Sequence, residues 1–205
     1  MSAEPSSVPD RRRFNHTIRY QKQLLANLPE GVRTAIDAGC GEGLAARTMA
    51  RDGLTVTAID ADEASIERAR AQDCERITYV VGDIFETDVE PADVVYAGAL
   101  LHHMDIDAGL ERLKSWVAPG GRLCIVGLAR ATWRDLHREM AGSLAEKAFA
   151  LAKGSSWEHG SPTVWPPPHT YREVRAASMR ILPGAEYKAR VLWRYTIVWD
   201  RPSDS

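Results

Sequence analysis

Ala35-Ile36-Asp37-Ala38-Gly39-Cys40-Gly41-Glu42-Gly43 decides how the chain is read. The apolar run Thr34–Ile36 ends in an acid, glycine then falls at every second position, and a helical pattern begins at Leu44. This is a strand feeding a tight turn and then a helix. Glycine is needed there because a Cβ obstructs both a positive-φ turn and the approach of a ligand to the backbone. The acid calls for a positive charge or hydrogen-bond donors on that ligand.

Two more acids follow at intervals suited to an open α/β sheet. Thr55-Val56-Thr57-Ala58-Ile59-Asp60 reads as a second strand ending in Asp60, seventeen residues after Gly43. An acid roughly 20 residues past the glycines is placed to accept hydrogen bonds from ribose hydroxyls. Ile77-Thr78-Tyr79-Val80-Val81-Gly82-Asp83 reads as a third strand ending in Asp83. Strands that end this way carry their polar tips to one edge of the sheet, and ligands of such sheets bind at that carboxyl edge.

Further along stand Asp93-Val94-Val95-Tyr96-Ala97-Gly98-Ala99-Leu100-Leu101-His102-His103 and Leu113-x-x-x-Val117-x-Pro119-Gly120-Gly121-x-Leu123. With the three acid-tipped strands they make five ordered motifs over residues 34–128. The set resembles the cofactor motifs of class I S-adenosylmethionine-dependent methyltransferases. It is most similar to the small-molecule branch (methyltransferase type 11/25-like) that carries Leu-His-His after the fourth strand. The resemblance implies an α/β fold: a seven-stranded, mostly parallel Rossmann-like sheet with a C-terminal antiparallel hairpin and helices on both faces. It also implies S-adenosyl-L-methionine as cofactor and S-adenosyl-L-homocysteine as product.

The same resemblance assigns residues. Asp37 takes the methionine ammonium, directly or through water. The turn Ala38-Gly39-Cys40-Gly41, running on to Gly43, cradles carboxylate and ribose at a helix N-terminus, whose unpaired N–H groups favour anions. Asp60, with Ala61, holds the ribose hydroxyls. Asp83 meets the adenine amino group and Ile84 the ring face. The backbone at Ala97 and Gly98 accepts from the ammonium. The N-terminal helix, with His16, Arg19 and Tyr20, forms another wall, Tyr20 toward the cofactor and His16 toward the acceptor. The alternative for the acids is turn capping, for which Asp is common; three of them each closing a strand argue together against it.

Methyl transfer is an in-line displacement at a sulfonium, so alignment supplies much of the rate and no oxyanion hole is required. A general base helps only an acceptor that arrives protonated. His102 and His103 follow the fourth strand, at the cofactor's methyl end, and His103 is the chosen candidate base. The alternative is a structural role for the pair. A nicotinamide cofactor would require Gly-x-Gly-x-x-Gly; Leu44 occupies its last place, and Asp83 has no role in that scheme. A cofactor-binding but non-catalytic partner protein would keep every cofactor motif.

The rest of the chain bounds these expectations. Its 205 residues suffice for one domain, 44% of them hydrophobic and 26% charged, with a net charge of −2. That charge gives no electrostatic case for nucleic acid or a membrane surface. Ala97-Gly98-Ala99-Leu100 also replaces the Asp/Asn-Pro-Pro-Tyr/Phe used on flipped bases. No apolar run reaches 18 residues, and Met1-Ser2-Ala3-Glu4-Pro5 does not open a signal peptide. Cys40, Cys74 and Cys124 are widely spaced, which suits reduced thiols in a cytoplasmic protein and offers no metal site.

The expected organisation is a disordered tail over 1–13, then a single domain over 14–205. That domain has a cap helix at 14–28, a cofactor core at 32–128, a lid at 129–184 and a hairpin at 185–200. Helices are expected at 43–52, 62–72, 106–117 and 132–153, and from the capping box Thr170-Tyr171-Arg172-Glu173 to about Arg180. Long insertions over a sheet's carboxyl edge commonly act as lids. This one carries Trp133, His137, Trp157 and Trp165, pointing to an aromatic-lined cavity for a small-molecule acceptor. Monomer and homodimer both remain open.

Overall fold

The computed structural model describes residues 10, 15–72, 74–137, 139–140, 142 and 165–203. Most of the expected 1–13 tail, the part of the expected lid at 143–164, and Trp157 within it lie outside the described residues.

The apolar run closing on Ile36 becomes β1 (Thr34–Ala38), buried over its last four residues. It is flanked in parallel by β2 (Thr55–Asp60) and β4 (Ala92–Gly98), with Asp37 in register with Ala58 on one side and Tyr96 on the other. β3 (Ile77–Val81) pairs with β2 and β5 (Val117–Leu128) with β4, both in parallel. β6 (Glu186–Ala189) and β7 (Arg194–Asp200) complete the order β3-β2-β1-β4-β5-β7-β6. Only β7 runs against the other six strands. The seven-stranded, mostly parallel sheet with a C-terminal hairpin is therefore the fold that forms.

Parallel strands require crossovers, and helices supply most of them. α1 (His16–Leu25), α2 (Leu44–Arg51) and α3 (Glu63–Arg70) cover one face, where Tyr20, Met49 and Ile66 join Val56, Val94 and Cys124. α4 (Ile106–Ser115) and α5 (Tyr171–Ile181) cover the other, where Leu110, Leu113 and Val174 join Ile36, Val95, Ile125 and Ile197. Side chains of opposite strand parity fill the two layers, as a sheet buried on both faces demands. The β3–β4 connection is a loop, pinned by Arg112 of α4, which donates to the carbonyls of Ile84 at 2.7 Å and Thr87 at 2.6 Å.

Helix starts are set by local chemistry. Asn15 caps α1, Asp62 caps α3, Asp105 caps α4, and Thr170 with Glu173 forms the capping box of α5. Each such cap is worth about 1 kcal/mol. α2 differs: Gly43 precedes it in the left-handed region and has no side chain to cap with. Asp37 takes over that task from β1, its Oδ2 accepting from the Ala46 N–H at 2.8 Å.

Two boundaries depart from expectation. α4 ends at Ser115 and β5 already begins at Val117, so Pro119-Gly120-Gly121 lies inside the strand. Ala92 pairs with Val117 but Val94 pairs with Arg122, and a bulge takes up the extra residues. Gly121 permits it, since a Cβ there would stand 2.8 Å from the Asp93 carbonyl oxygen. α1 closes at Leu25, where the Ala26 and Asn27 N–H groups turn back to Lys22 and Leu24. Of the expected 132–153 helix, a 3-10 turn at Trp133–Asp135 and helical residues at 136–137, 139–140 and 142 are described. No helix among the described residues is long and apolar enough to cross a membrane.

Candidate functional site

The carboxyl tips of β1, β2 and β4 and the turn after β3 open into one cavity of about 520 Å³, walled on one side by α1. It brings together Asp37, Gly39, Cys40, Gly41, Asp60, Ala61, Asp83, Ile84, Gly98, His102 and His103. Other expected site residues lie off its wall. Ala38 and Ala97 are buried register partners inside the sheet. Gly43 sits behind the turn. Tyr20 packs into the α1–α3 face, with the Arg190 guanidinium 5.2 Å above its ring. His16 is half-buried outside the cavity lining, and Trp133 and His137 are exposed. Trp165 is exposed too, edge-on to Trp193 at 5.2 Å.

The turn explains its glycines. Gly39, Gly41 and Gly43 hold φ of 66°, 51° and 74°, a region L-residues avoid. A Cβ on Gly39 would stand 2.8 Å from Leu100 Cδ1, and one on Gly43 2.6 Å from the Tyr79 hydroxyl. At Gly41 a Cβ meets nothing within 4 Å, so only backbone conformation and ligand approach call for glycine there. Below the turn lies Arg47, 2% exposed. Its Nε and Nη2 donate to the two oxygens of Asp10 at 2.8 and 2.9 Å, and its Nη1 donates to the Glu42 carbonyl. Burial works against the Arg47 charge, but the Asp10 carboxylate outweighs it and keeps the guanidinium more basic than usual.

The acids differ in setting. Asp37 is buried, and that burial pushes its pKa up to about 7. The Ala46 N–H pulls it back, the Asp60 charge adds to the rise, and Arg47 lowers it. Asp60 is half-buried; its Oδ2 accepts from the Gly41 N–H at 2.7 Å and its Oδ1 from the Asp62 N–H at 2.9 Å. Asp83 is exposed and accepts from the Phe85 N–H at 2.8 Å. Cys40 also lines the cavity, but burial raises its thiol far above the ordinary range and keeps it protonated.

A short 3-10 turn, Leu101–His103, carries the histidines past β4. Their rings lie 3.9 Å apart at 42°. His102 is 5% exposed, and burial lowers its pKa to about 4, helped by the charges of His103 and Arg194. His103 is more open; burial lowers it and Asp60 works the other way. At neutral pH His102 is therefore a neutral ring and a weak base.

Three cavity-lining residues hold a buried polar atom with no hydrogen-bond partner among the described residues: Gln21 Nε2, Tyr96 Oη and His102 Nδ1. Such atoms cost roughly 1–3 kcal/mol each and are few in native proteins. Three around one cavity fit a ligand with complementary groups.

Sequence reasoning missed Thr17, Gln21, Tyr96 and Arg194, all of which line the cavity. Tyr96 stands two residues before Gly98 and shares its face of β4, so strand alternation carried a signal. Thr17 and Gln21 are four apart on one helix face. Arg194 had no local signal.

A doubly wound sheet whose first turn and next two acids meet at one cavity is the arrangement in which α/β domains take nucleoside ligands at the carboxyl edge. A Methyltransferase domain family model matches residues 36–125. An uncharacterised methyltransferase of Mycobacterium tuberculosis is 34% identical over 193 residues, 92% of this chain and 98% of that protein. The ubiquinone biosynthesis O-methyltransferase of a Caulobacter species is 33% identical over 163 residues, 75% of this chain and 57% of that protein. In fold, the chain matches a SAM-dependent methyltransferase crystal structure from Aquifex aeolicus with TM-score 0.62 at 15% identity, over 97% of this chain and 98% of that one. The chain belongs to the class I S-adenosylmethionine-dependent methyltransferase family, as its motifs implied.

Proposed function

We propose that the protein transfers a methyl group from S-adenosyl-L-methionine to a small organic acceptor in this cavity. The observation that carries the reading is the convergence of Asp37, Asp60, Asp83 and the Gly39–Gly41 turn on one space, with His102 and His103 at its wall. The residues fit the cofactor. Carboxylates suit its ammonium and ribose hydroxyls, the bare turn admits close approach, and the Tyr96 hydroxyl, without a hydrogen-bond partner among the described residues, lies against Gly98, 2.7 Å from where a Cβ there would stand.

Asp37 and the Gly98 backbone would hold the ammonium, Asp60 and Ala61 the ribose, and Asp83 with Ile84 the adenine. Bound there, the cofactor supplies a methyl carbon on a positively charged sulfur. The tasks left to the chain are to aim the acceptor's nucleophilic atom along the sulfur–carbon axis and to keep water out. His103 is the proposed base for an acceptor that brings a proton, because it is open to the cavity while His102 is buried and held neutral. The name of the Caulobacter relative supports a small organic acceptor.

Calorimetry and thermal unfolding test the reading. S-adenosylhomocysteine is expected to bind and raise the melting temperature, and NAD to do neither. A labelled methyl donor is expected to transfer label into a metabolite extract. Stabilisation by NAD alone would overturn the reading; cofactor binding without any transfer would make the protein a non-catalytic partner.

A further inference from the structure

β7 is the strand that runs against the rest of the sheet, so its first residue and not its last lies at the carboxyl edge. That residue is Arg194, paired with Leu128 at the end of β5, and both line the cavity. The turn delivering Arg194 is unusual: Leu192 and Trp193 both adopt the left-handed region, each with φ 58°. Arg194 Nη1 donates to the Leu192 carbonyl at 2.8 Å, and Nε donates to Thr17 Oγ1 on α1 at 3.1 Å. A planar guanidinium tied to two separate elements is aimed before any ligand arrives, which lowers the ordering cost of binding.

Charge is unevenly spread along the cavity. Asp37, Asp60 and Asp83 stand on the β1-β2-β3 side, while Arg194 is the only arginine or lysine among the described lining residues. β2 and β7 are four strand spacings apart in the sheet order, roughly 19 Å. Acids at one end suit an ammonium and hydroxyls; a cation at the other suits an anion. Gln21, one helical turn beyond Thr17 on α1, is 5% exposed and adds on the same wall an Nε2 donor that has no partner among the described residues.

Resting on the methyl-transfer reading of this cavity, we propose that Arg194, with Thr17 and Gln21, forms the recognition point for a carboxylate carried by the methyl acceptor. A guanidinium reads a carboxylate through parallel N–H bonds, which a neutral amide cannot match. A carboxylate is also present on the cofactor's methionine end. The strand order favours the acceptor: the proposed cofactor contacts end at Gly98 of β4, and Arg194 lies beyond β5, two strands further along the sheet.

The test uses the full chain loaded with S-adenosylhomocysteine, titrated by calorimetry with benzoate, 4-hydroxybenzoate and glutarate and with their amides. At least one carboxylate is expected to bind tenfold or more tightly than its amide. Arg194→Gln should erase that preference while leaving S-adenosylhomocysteine affinity within about twofold. Arg194→Lys should keep part of the preference, and it preserves a readout if the glutamine variant folds poorly. Equal binding of acids and amides, or a preference that survives Arg194→Gln, overturns the proposal. A tenfold loss of S-adenosylhomocysteine affinity in Arg194→Gln with no change in the acid preference assigns the arginine to the cofactor and also overturns it. Failure of S-adenosylhomocysteine to bind wild type removes the methyl-transfer reading itself, and this proposal falls with it.

Discussion

Asp60 and Gly41, 19 residues apart in sequence, are joined by a 2.7 Å hydrogen bond in which the Gly41 N–H donates to Asp60 Oδ2. The acid at the tip of β2 thus holds the β1 turn as well as facing the cavity. Holding the turn and carrying the proposed ribose contact fall to one side chain.

Asp60→Ala should therefore weaken S-adenosylhomocysteine binding by about 1–3 kcal/mol, the cost of leaving buried donors unpaired. It should also lower the melting temperature, because Gly41 loses its acceptor. Asp60→Asn keeps an acceptor oxygen and should recover part of both. Unchanged calorimetric affinity in the alanine variant would remove Asp60 from the cofactor site.

Asp37 gives a pH signature. Burial raises its carboxyl from 3.8 to about 7, so the folded chain holds a proton that the unfolded chain releases. Its contribution to stability is greatest below about pH 4 and is lost as pH rises toward 7. Asp37→Asn should remove that decline. A cationic ammonium favours the ionised carboxylate, so binding at pH 6.5 should release protons and affinity should rise through pH 7. Calorimetry in buffers of different ionisation enthalpy reads this directly; no buffer dependence beyond that of Asp37→Asn sinks the idea.

His102 acts with the opposite sign. Its folded pKa of about 4 lies below the usual 6.5, so the unfolded chain takes up a proton first. The stabilisation is fully present above pH 6.5 and lost as pH falls toward 4. The stability of wild type relative to His102→Asn should shrink over that window. A constant difference would mean that the ring is not held neutral by burial. Because the Asp37 and His102 windows overlap, each variant needs its own comparison with wild type.

His103→Ala should lower kcat by about 10²-fold or more for an acceptor that must lose a proton, with little change in S-adenosylhomocysteine affinity. Retained kcat on a phenol or alcohol acceptor would assign the pair a structural role.

The turn glycines should rank by what surrounds them. Gly43→Ala adds a methyl 2.6 Å from the Tyr79 hydroxyl at φ 74°, whereas Gly41→Ala meets open space at φ 51°. Backbone strain alone costs roughly 1–2 kcal/mol, so Gly41→Ala should lose about that much stability and Gly43→Ala more. Equal melting temperatures would contradict the packing behind the turn.

Legibility followed the range of the interactions. The β1 turn, Asp60 and Asp83 were readable because glycine and acid at strand ends are local signals, and parallel pairing carries such ends to one edge. The capping box at Thr170 was readable for the same reason. Arg194 was not, because its place depends on β7 entering between β5 and β6 in reverse direction. Gln21 depends on how α1 is rotated against the sheet. The resemblance implies a turn at Pro119-Gly120-Gly121, yet a bulge against Asp93 keeps it within β5. Aromatic residues carry no direction of their own: Trp133 is 76% exposed, while Tyr96, in a plain strand, lines the cavity.

β6 is made before β7 but lands one strand further out, leaving a slot that β7 fills. A nascent chain that has left the ribosome only as far as Ala189 carries β5 with a bare hydrogen-bonding rim of seven residues, Arg122 to Leu128. Bare rims recruit strands from neighbouring chains. That rim stays bare from the synthesis of Leu128 until β7 follows, so a chain halted anywhere in that span leaves β5 open to strands of its siblings on one polysome.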